Sequence, residues 1–256
     1  MNRINKLFQE KQKGILSIYF TAGYPRLEDT MTVLRTLQES GADMVEIGMP
    51  FSDPLADGPV IQESSKKALE NGMSLKVLFE QLKNCREEIH IPIVLMGYLN
   101  PVMQYGIEEF LTSCKAVGVD GSILPDLPLE EYEEEYKTIF TQNGVSNIFL
   151  VTPETSADRI KYIDQLSSGF IYAVSSSSTT GKDKDWNLQE GYFKRLKDSS
   201  LKHPVLAGFG VKDHESFVAA TEHTNGAIIG TAFIRTLTKA DHLSASIVSF
   251  IQQLRG

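Results

Sequence analysis

The stretch Val45-Glu46-Ile47-Gly48-Met49-Pro50-Phe51-Ser52-Asp53-Pro54-Leu55-Ala56-Asp57-Gly58-Pro59 puts one carboxylate inside an apolar run and two more in the Pro-studded loop behind it. Burying an ionised carboxyl is costly, so such a group either pairs with a partner or holds its proton. If the run is a strand, alternation points Glu46 the same way as Met44 and Gly48. A desolvated glutamate near a strand end is then available for general acid/base work. The competing reading is a glutamate paired within the protein wall. Asp57 and Asp53 sit where turn chemistry alone also favours aspartate.

Two other places gather polar groups. Ile171-Tyr172-Ala173-Val174 runs into Ser175-Ser176-Ser177-Ser178-Thr179-Thr180-Gly181, then Lys182-Asp183-Lys184-Asp185. A hydroxyl-rich loop after an apolar run suits a lid over a polar ligand, with a plain Ser-rich connector as the alternative. Ala207-Gly208-Phe209-Gly210 and Gly230-Thr231-Ala232 each follow an apolar run, and glycine lets backbone N–H groups approach an anion. Together with Gly181 these glycines point to a phosphate site. His90, His203, His214, His223 and His242 show no metal-ligand spacing, and Cys85 and Cys114 are too few for a disulfide framework, so no metal is expected.

The elements that must carry these groups alternate between short apolar runs and longer amphipathic segments, the pattern of parallel strands with crossover helices. Strands are expected at 15–20, 43–48, 91–96, 119–124, 146–151, 169–174, 204–207 and 225–229. Helical spacing of apolar residues recurs in Leu27–Ser40 and from Leu75 to Leu82, and a last helix is expected over Asp241–Gln253. Glu130 to Glu135 reads as the solvated face of an outer helix. Eight strands favour a closed (β/α)8 TIM barrel, with an extra N-terminal helix at about Asn2 to Gln12. An open doubly wound sheet is disfavoured because Thr21-Ala22-Gly23-Tyr24-Pro25, after the first strand, is not a Gly-rich nucleotide turn. No Pro/Gly/Ser-rich linker divides the chain, so 1–256 is expected to be one barrel domain. In such barrels polar residues at the C-terminal strand ends form the active site, with phosphate between strands seven and eight.

A formal net charge of -8 and a pI near 5.2 argue against a broad nucleic-acid or acidic-membrane surface. Without a signal region or a long apolar run, a cytoplasmic, soluble protein is expected.

Taken together, Glu46 with Pro50-Phe51-Ser52-Asp53-Pro54-Leu55-Ala56-Asp57-Gly58-Pro59 resembles the signature of the tryptophan synthase alpha chain family. Thr21-Ala22-Gly23, Tyr98 to Pro101, Pro125-Asp126-Leu127-Pro128, Tyr172 to Ser175, Thr180-Gly181, Gly208-Phe209-Gly210 and Gly230-Thr231-Ala232 extend the resemblance over nearly the whole chain, in the expected order. It implies a carbon–carbon lyase that splits indole-3-glycerol phosphate into indole and glyceraldehyde 3-phosphate by a retro-aldol step. By the same resemblance Glu46 is the acid/base that protonates indole C3, and Asp57 stabilises positive charge at the indole N–H. Tyr19, Tyr172 and Thr180 line the substrate, while Gly181, Gly210, Gly230 and Thr231 hold phosphate. No cofactor is expected in this chain. The implied partner is a beta subunit that carries pyridoxal phosphate and receives indole in an alpha2-beta2 assembly. Pro50, Asp53, Asn100 and Pro101, with the segment to Gln104, are the interface candidates. The chain departs from the family in its lid, where Ser176 and Ser178 replace a common Arg and Gly. It departs again at Thr231, where a serine is more usual and the hydroxyl is kept. A different phosphate-binding barrel, or a regulatory binding module for the beta partner, are the competing readings.

Overall fold

The computed structural model describes residues 2–174, 187–208 and 210–256. Eight of the apolar runs are parallel strands: β1 (Ile15–Thr21), β2 (Met44–Gly48), β3 (Ile93–Met96), β4 (Gly121–Ile123), β5 (Ser146–Val151), β6 (Ile171–Val174), β7 (Val205–Gly208) and β8 (Gly226–Ile229). They pair in sequence order and β8 returns to β1, closing the expected barrel. β3 begins at Ile93 rather than Ile91, since Pro92 has no N–H to give to a ladder.

Parallel neighbours need crossover connections. These are made by α2 (Asp29–Glu39), α3 (Pro59–Glu70), α4 (Leu75–Leu82), α5 (Leu99–Tyr105) and α6 (Ile107–Val117), preceded by the N-terminal α1 (Arg3–Glu10). Further on, α7 (Leu129–Glu131) runs through a π-helical turn at Tyr132–Tyr136 into α8 (Lys137–Asn143). The circuit is completed by α9 (Ala157–Leu166), α10 (Asn187–Asp198), α11 (His214–His223), α12 (Thr231–Thr238) and α13 (Leu243–Arg255). The acidic run keeps Glu130, Glu133, Glu134 and Glu135 exposed, as expected. Tyr132 beneath it is buried, edge-on to Phe140 and Phe149.

Strand alternation divides the apolar side chains into two clusters. Inward residues, among them Ile15, Met44, Val94, Ile148 and Leu206, fill the barrel; outward residues such as Leu16, Val45 and Phe149 pack beneath the helices. The helix expected at Asn2 to Gln12 is α1, which lies across the base of the barrel. Its start is fixed by Asn2, whose side chain accepts from the Ile4 N–H at 2.8 Å. One face carries Ile4, fully buried, together with Leu7 and Phe8, against the lower barrel interior. The Phe8 ring lies tilted against Phe170, their centroids 6.0 Å apart.

Two carboxylates staple this base. Asp120 takes Arg3 at 3.0 Å and Arg86 at 2.6 Å, and Asp43 takes both Lys11 at 2.6 Å and Arg255 at 2.7 Å. The polar work at the base is therefore structural, which leaves the opposite mouth for chemistry. His203, beside Asp164 at 3.0 Å, belongs to another such staple. Cys85 and Cys114 are buried and unpaired.

Candidate active site

Glu46 lies in the middle of β2, paired with Tyr19 of β1 on one side and Val94 of β3 on the other. It has no solvent exposure, and no cation pairs with it among the described residues. Its one hydrogen bond comes from the Ser17 hydroxyl, 3.1 Å from Oε1. Oε2 is buried and has no partner among the described residues. Burial pushes the Glu46 carboxyl up to about 8, against the opposing pull of Ser17. A carboxyl in that range holds its proton at neutral pH and gives it up readily, as a general acid requires.

Two tyrosines frame Glu46. Tyr172 on β6 is 4% exposed, and Tyr19 on β1 is half-buried. Both phenols are held well above the usual tyrosine range, first by burial and then by nearby carboxylates, to which Glu46 and Asp57 both contribute. That shared influence brings Tyr19, Glu46, Asp57 and Tyr172 into one electrostatic neighbourhood.

Glycine makes the rings fit. A Cβ at Gly48 would lie 2.2 Å from the Tyr19 hydroxyl oxygen, and one at Gly208 would lie 2.1 Å from the Tyr172 ring. Each tyrosine therefore crosses a neighbouring strand where that strand has no side chain. Gly230 abuts Tyr19 from the far side, its added Cβ 3.3 Å from the ring.

Asp57 comes in on the loop after β2. Pro59 at the first position of α3 has its φ pre-set and no N–H to satisfy, so the helix starts two residues after Asp57. The loop before it is tied down from two sides. Tyr98, just past β3, accepts the Ala56 N–H at 3.1 Å and donates its hydroxyl to Asp57 Oδ2 at 3.3 Å. Gln62 on α3 reaches back, its amide donating to the carbonyls of Asp57 at 2.8 Å and Pro54 at 3.3 Å. Burial raises the Asp57 pKa while the Tyr98 hydrogen bond opposes the rise. Burial, followed by the Asp57 charge, pushes the Tyr98 phenol up to about 12.

Three of the expected anion-holding residues follow β7 and β8. Gly230 is the N-cap of α12 and Thr231 its first residue, immediately after β8. Gly210, two residues past β7, has φ +84°, a conformation open mainly to glycine. Thr180, Gly181 and the altered lid positions Ser176 and Ser178 lie outside the described residues.

Pro50, Asp53, Asn100 and Pro101, expected at an interface, line one cleft of about 520 Å³ with Phe51, Ser52, Leu69 and Gln104. Leu55 and Met103, which stand 89% and 56% exposed, lie on the two segments that form it.

Five residues act here in ways the sequence did not show: Ser17 on Glu46, Tyr98 as the partner of Asp57, Gln62, and Gly48 and Gly208 as clearance for the rings. Ser17 left a trace, as a lone polar residue within Ile15-Leu16-Ser17-Ile18.

A parallel eight-stranded barrel, with a proton-holding glutamate in its wall and a second carboxylate on the loop above, is a TIM barrel whose mouth gathers groups suited to acid/base chemistry. Comparison with known proteins narrows this class. Residues 5–255 match the family model described as "Tryptophan synthase alpha chain", and the chain belongs to that family. It is 54% identical to the tryptophan synthase alpha chain of Flavobacterium psychrophilum, over 99% of this chain and 100% of that one. Among solved structures it is similar to tryptophan synthase subunit alpha from Legionella pneumophila, with a TM-score of 0.91, 34% identity, and coverage of 100% of this chain and 97% of that one. It is likewise similar to the tryptophan synthase A-subunit of Pyrococcus furiosus, with a TM-score of 0.88, 35% identity, and coverage of 96% and 99%. As a member of the family the chain is a carbon–carbon lyase of tryptophan biosynthesis, cleaving indole-3-glycerol phosphate to indole and glyceraldehyde 3-phosphate.

Proposed function

We propose that Glu46 and Asp57 carry this cleavage, and the observation behind the proposal is the Glu46 carboxyl itself: fully buried, protonated at neutral pH, with Oε2 unpartnered among the described residues. Glu46 gives its proton to indole C3, and the ring becomes an indoleninium cation. Asp57, as the carboxylate, accepts the indole N–H and stabilises that charge. The Glu46 carboxylate then takes the proton of the C3′ hydroxyl. The C3–C3′ bond breaks, its electron pair returns to the ring, and indole and the aldehyde separate. Glu46 ends with the proton it began with, so the cycle draws on no cofactor in this chain.

Tyr19 and Tyr172, with Thr180, flank the indole, and Gly181, Gly210, Gly230 and Thr231 hold the phosphate by backbone N–H and hydroxyl groups. The cleft at Pro50, Asp53, Asn100 and Pro101 receives a beta subunit in an alpha2-beta2 assembly; the exposed Leu55 and Met103 favour this surface for docking. No helix among the described residues is long and apolar enough to cross a membrane. A cytoplasmic site of action is part of the proposal, because a phosphate ester does not cross a bilayer unaided.

The test is indole release from indole-3-glycerol phosphate, by the chain alone and with a beta subunit. Glu46→Gln is expected to stay folded and lose about 10²–10⁴-fold in rate; a folded Glu46→Gln variant with normal release would falsify the role. The acid form of Glu46 must be present in the free enzyme. Its kcat/KM should therefore fall as pH rises through about 8.

A further inference from the structure

We propose that Ser17 is a positioning residue that divides the two oxygens of the Glu46 carboxyl, tethering Oε1 to the barrel wall and leaving Oε2 to face the substrate. The inference rests on the acid/base reading of Glu46 given above.

Ser17 is fully buried on β1, two residues below Tyr19, whose register partner is Glu46. Its flanking residues Leu16 and Ile18 are apolar and buried, so the hydroxyl stands in surroundings where an unpaired one would be costly. It meets that need on Glu46 Oε1, at 3.1 Å. A carboxyl group can turn about its last torsion, and neither oxygen of a free one is committed. Here one oxygen is held and the other, equally buried, has no partner among the described residues. A proton delivered to a ring carbon needs one defined oxygen aimed at that carbon, and the asymmetry supplies it.

Burial raises the carboxyl, and the same contact opposes that rise. Donation by Ser17 favours the carboxylate and offsets part of the burial effect. Among the described residues, the other titratable groups in this neighbourhood are Tyr19 from β1, Tyr172 from β6, Asp57 from the loop after β2 and Tyr98 from the segment after β3. The phenols are all raised and stay neutral at working pH, and burial raises the Asp57 carboxyl as well. Inward residues of β3, β4, β5, β7 and β8, namely Val94, Ile123, Ile148, Leu206 and Ile228, do not titrate. Ser17 is thus the group in this set that pulls Glu46 downward.

The experiment compares wild type, Ser17→Ala, Ser17→Thr and Glu46→Gln by two readouts: the pH profile of kcat/KM for indole release, and pH-difference infrared spectra of the protonated carboxyl band. The Glu46 band is the one lost in Glu46→Gln. In Ser17→Ala the alkaline limb and the infrared titration should both move up by about one unit, with kcat at pH 7 down about 3- to 10-fold and KM little changed. Ser17→Thr, which keeps the hydroxyl, should return both towards wild type. If Ser17→Ala does not fold, Ser17→Cys, with its weaker donor, should show a smaller shift of the same sign. An infrared titration that overlays wild type in a folded Ala or Cys variant overturns the proposal. Normal indole release by Glu46→Gln would overturn the catalytic reading instead, and the infrared shift would still report on the tether.

Discussion

At the scale of single residues, Glu46 places its own signature on stability. The fold keeps the proton to about pH 8, whereas an unfolded glutamate releases it above about 4.3. Between those values the folded state binds more protons than the unfolded one, so the contribution of this group to stability falls as pH rises and is lowest above pH 8. Glu46→Gln removes the dependence. Relative to wild type, the variant should gain on the order of a few kcal/mol between pH 5 and pH 8. Denaturant unfolding at the two pH values measures it, and an equal difference at both would show that Glu46 does not titrate in this window. Glu46 was legible from sequence because a carboxylate in an apolar run has few inexpensive explanations. Ser17 was not: its partner lies 29 positions away, and only strand register shows that the two meet. The clearance at Gly48 and Gly208 was not legible either, because the rings that need their empty space come from other strands.

At the scale of elements, the loop carrying Asp57 depends on α3 and on the segment after β3. Gln62 holds the Asp57 and Pro54 carbonyls from below, and Tyr98 grips Ala56 and the Asp57 carboxylate from the side. We expect Gln62→Ala to lower kcat about 10-fold with KM changed less than threefold, because a small displacement of a group acting in the transition state is costly while ground-state binding survives. Steady-state kinetics with a circular dichroism control tests this; a loss confined to KM would place Gln62 in substrate binding instead. The eight strands and the helices expected at Asn2 to Gln12, Leu27–Ser40, Leu75 to Leu82 and Asp241–Gln253 were readable in the sequence, most boundaries shifting by one or two residues, whereas α3, α5, α6 and α9 to α12 were not placed individually. The π-helical turn at Tyr132–Tyr136 was not readable, since a wide turn leaves the same acidic face exposed as an ordinary one.

Across the whole molecule, chemistry and stapling occupy opposite ends of the barrel. Ile4 is the apolar peg of the base, far from the substrate groups, and Ile4→Ala should destabilise the fold by about 2–4 kcal/mol while leaving kcat unaltered in the surviving folded protein. Thermal unfolding and indole release measured side by side decide it, and a kcat change in folded protein would tie the base to the mouth. The barrel itself was evident from eight apolar runs alternating with amphipathic ones. The base staples were not, because Asp43 and Asp120 bind residues scattered from Arg3 to Arg255. The staple at Asp43 has a temporal side. The carboxylate lies near the start of β2, yet Arg255, 212 residues later, completes its shell, and β1 finds its second neighbour only in β8. During synthesis the first strand therefore remains an open edge until nearly the entire polypeptide has left the ribosome. Such an edge invites pairing with another nascent chain, so the folding yield of this barrel should depend on the pace of translation and on chaperones that cover β1.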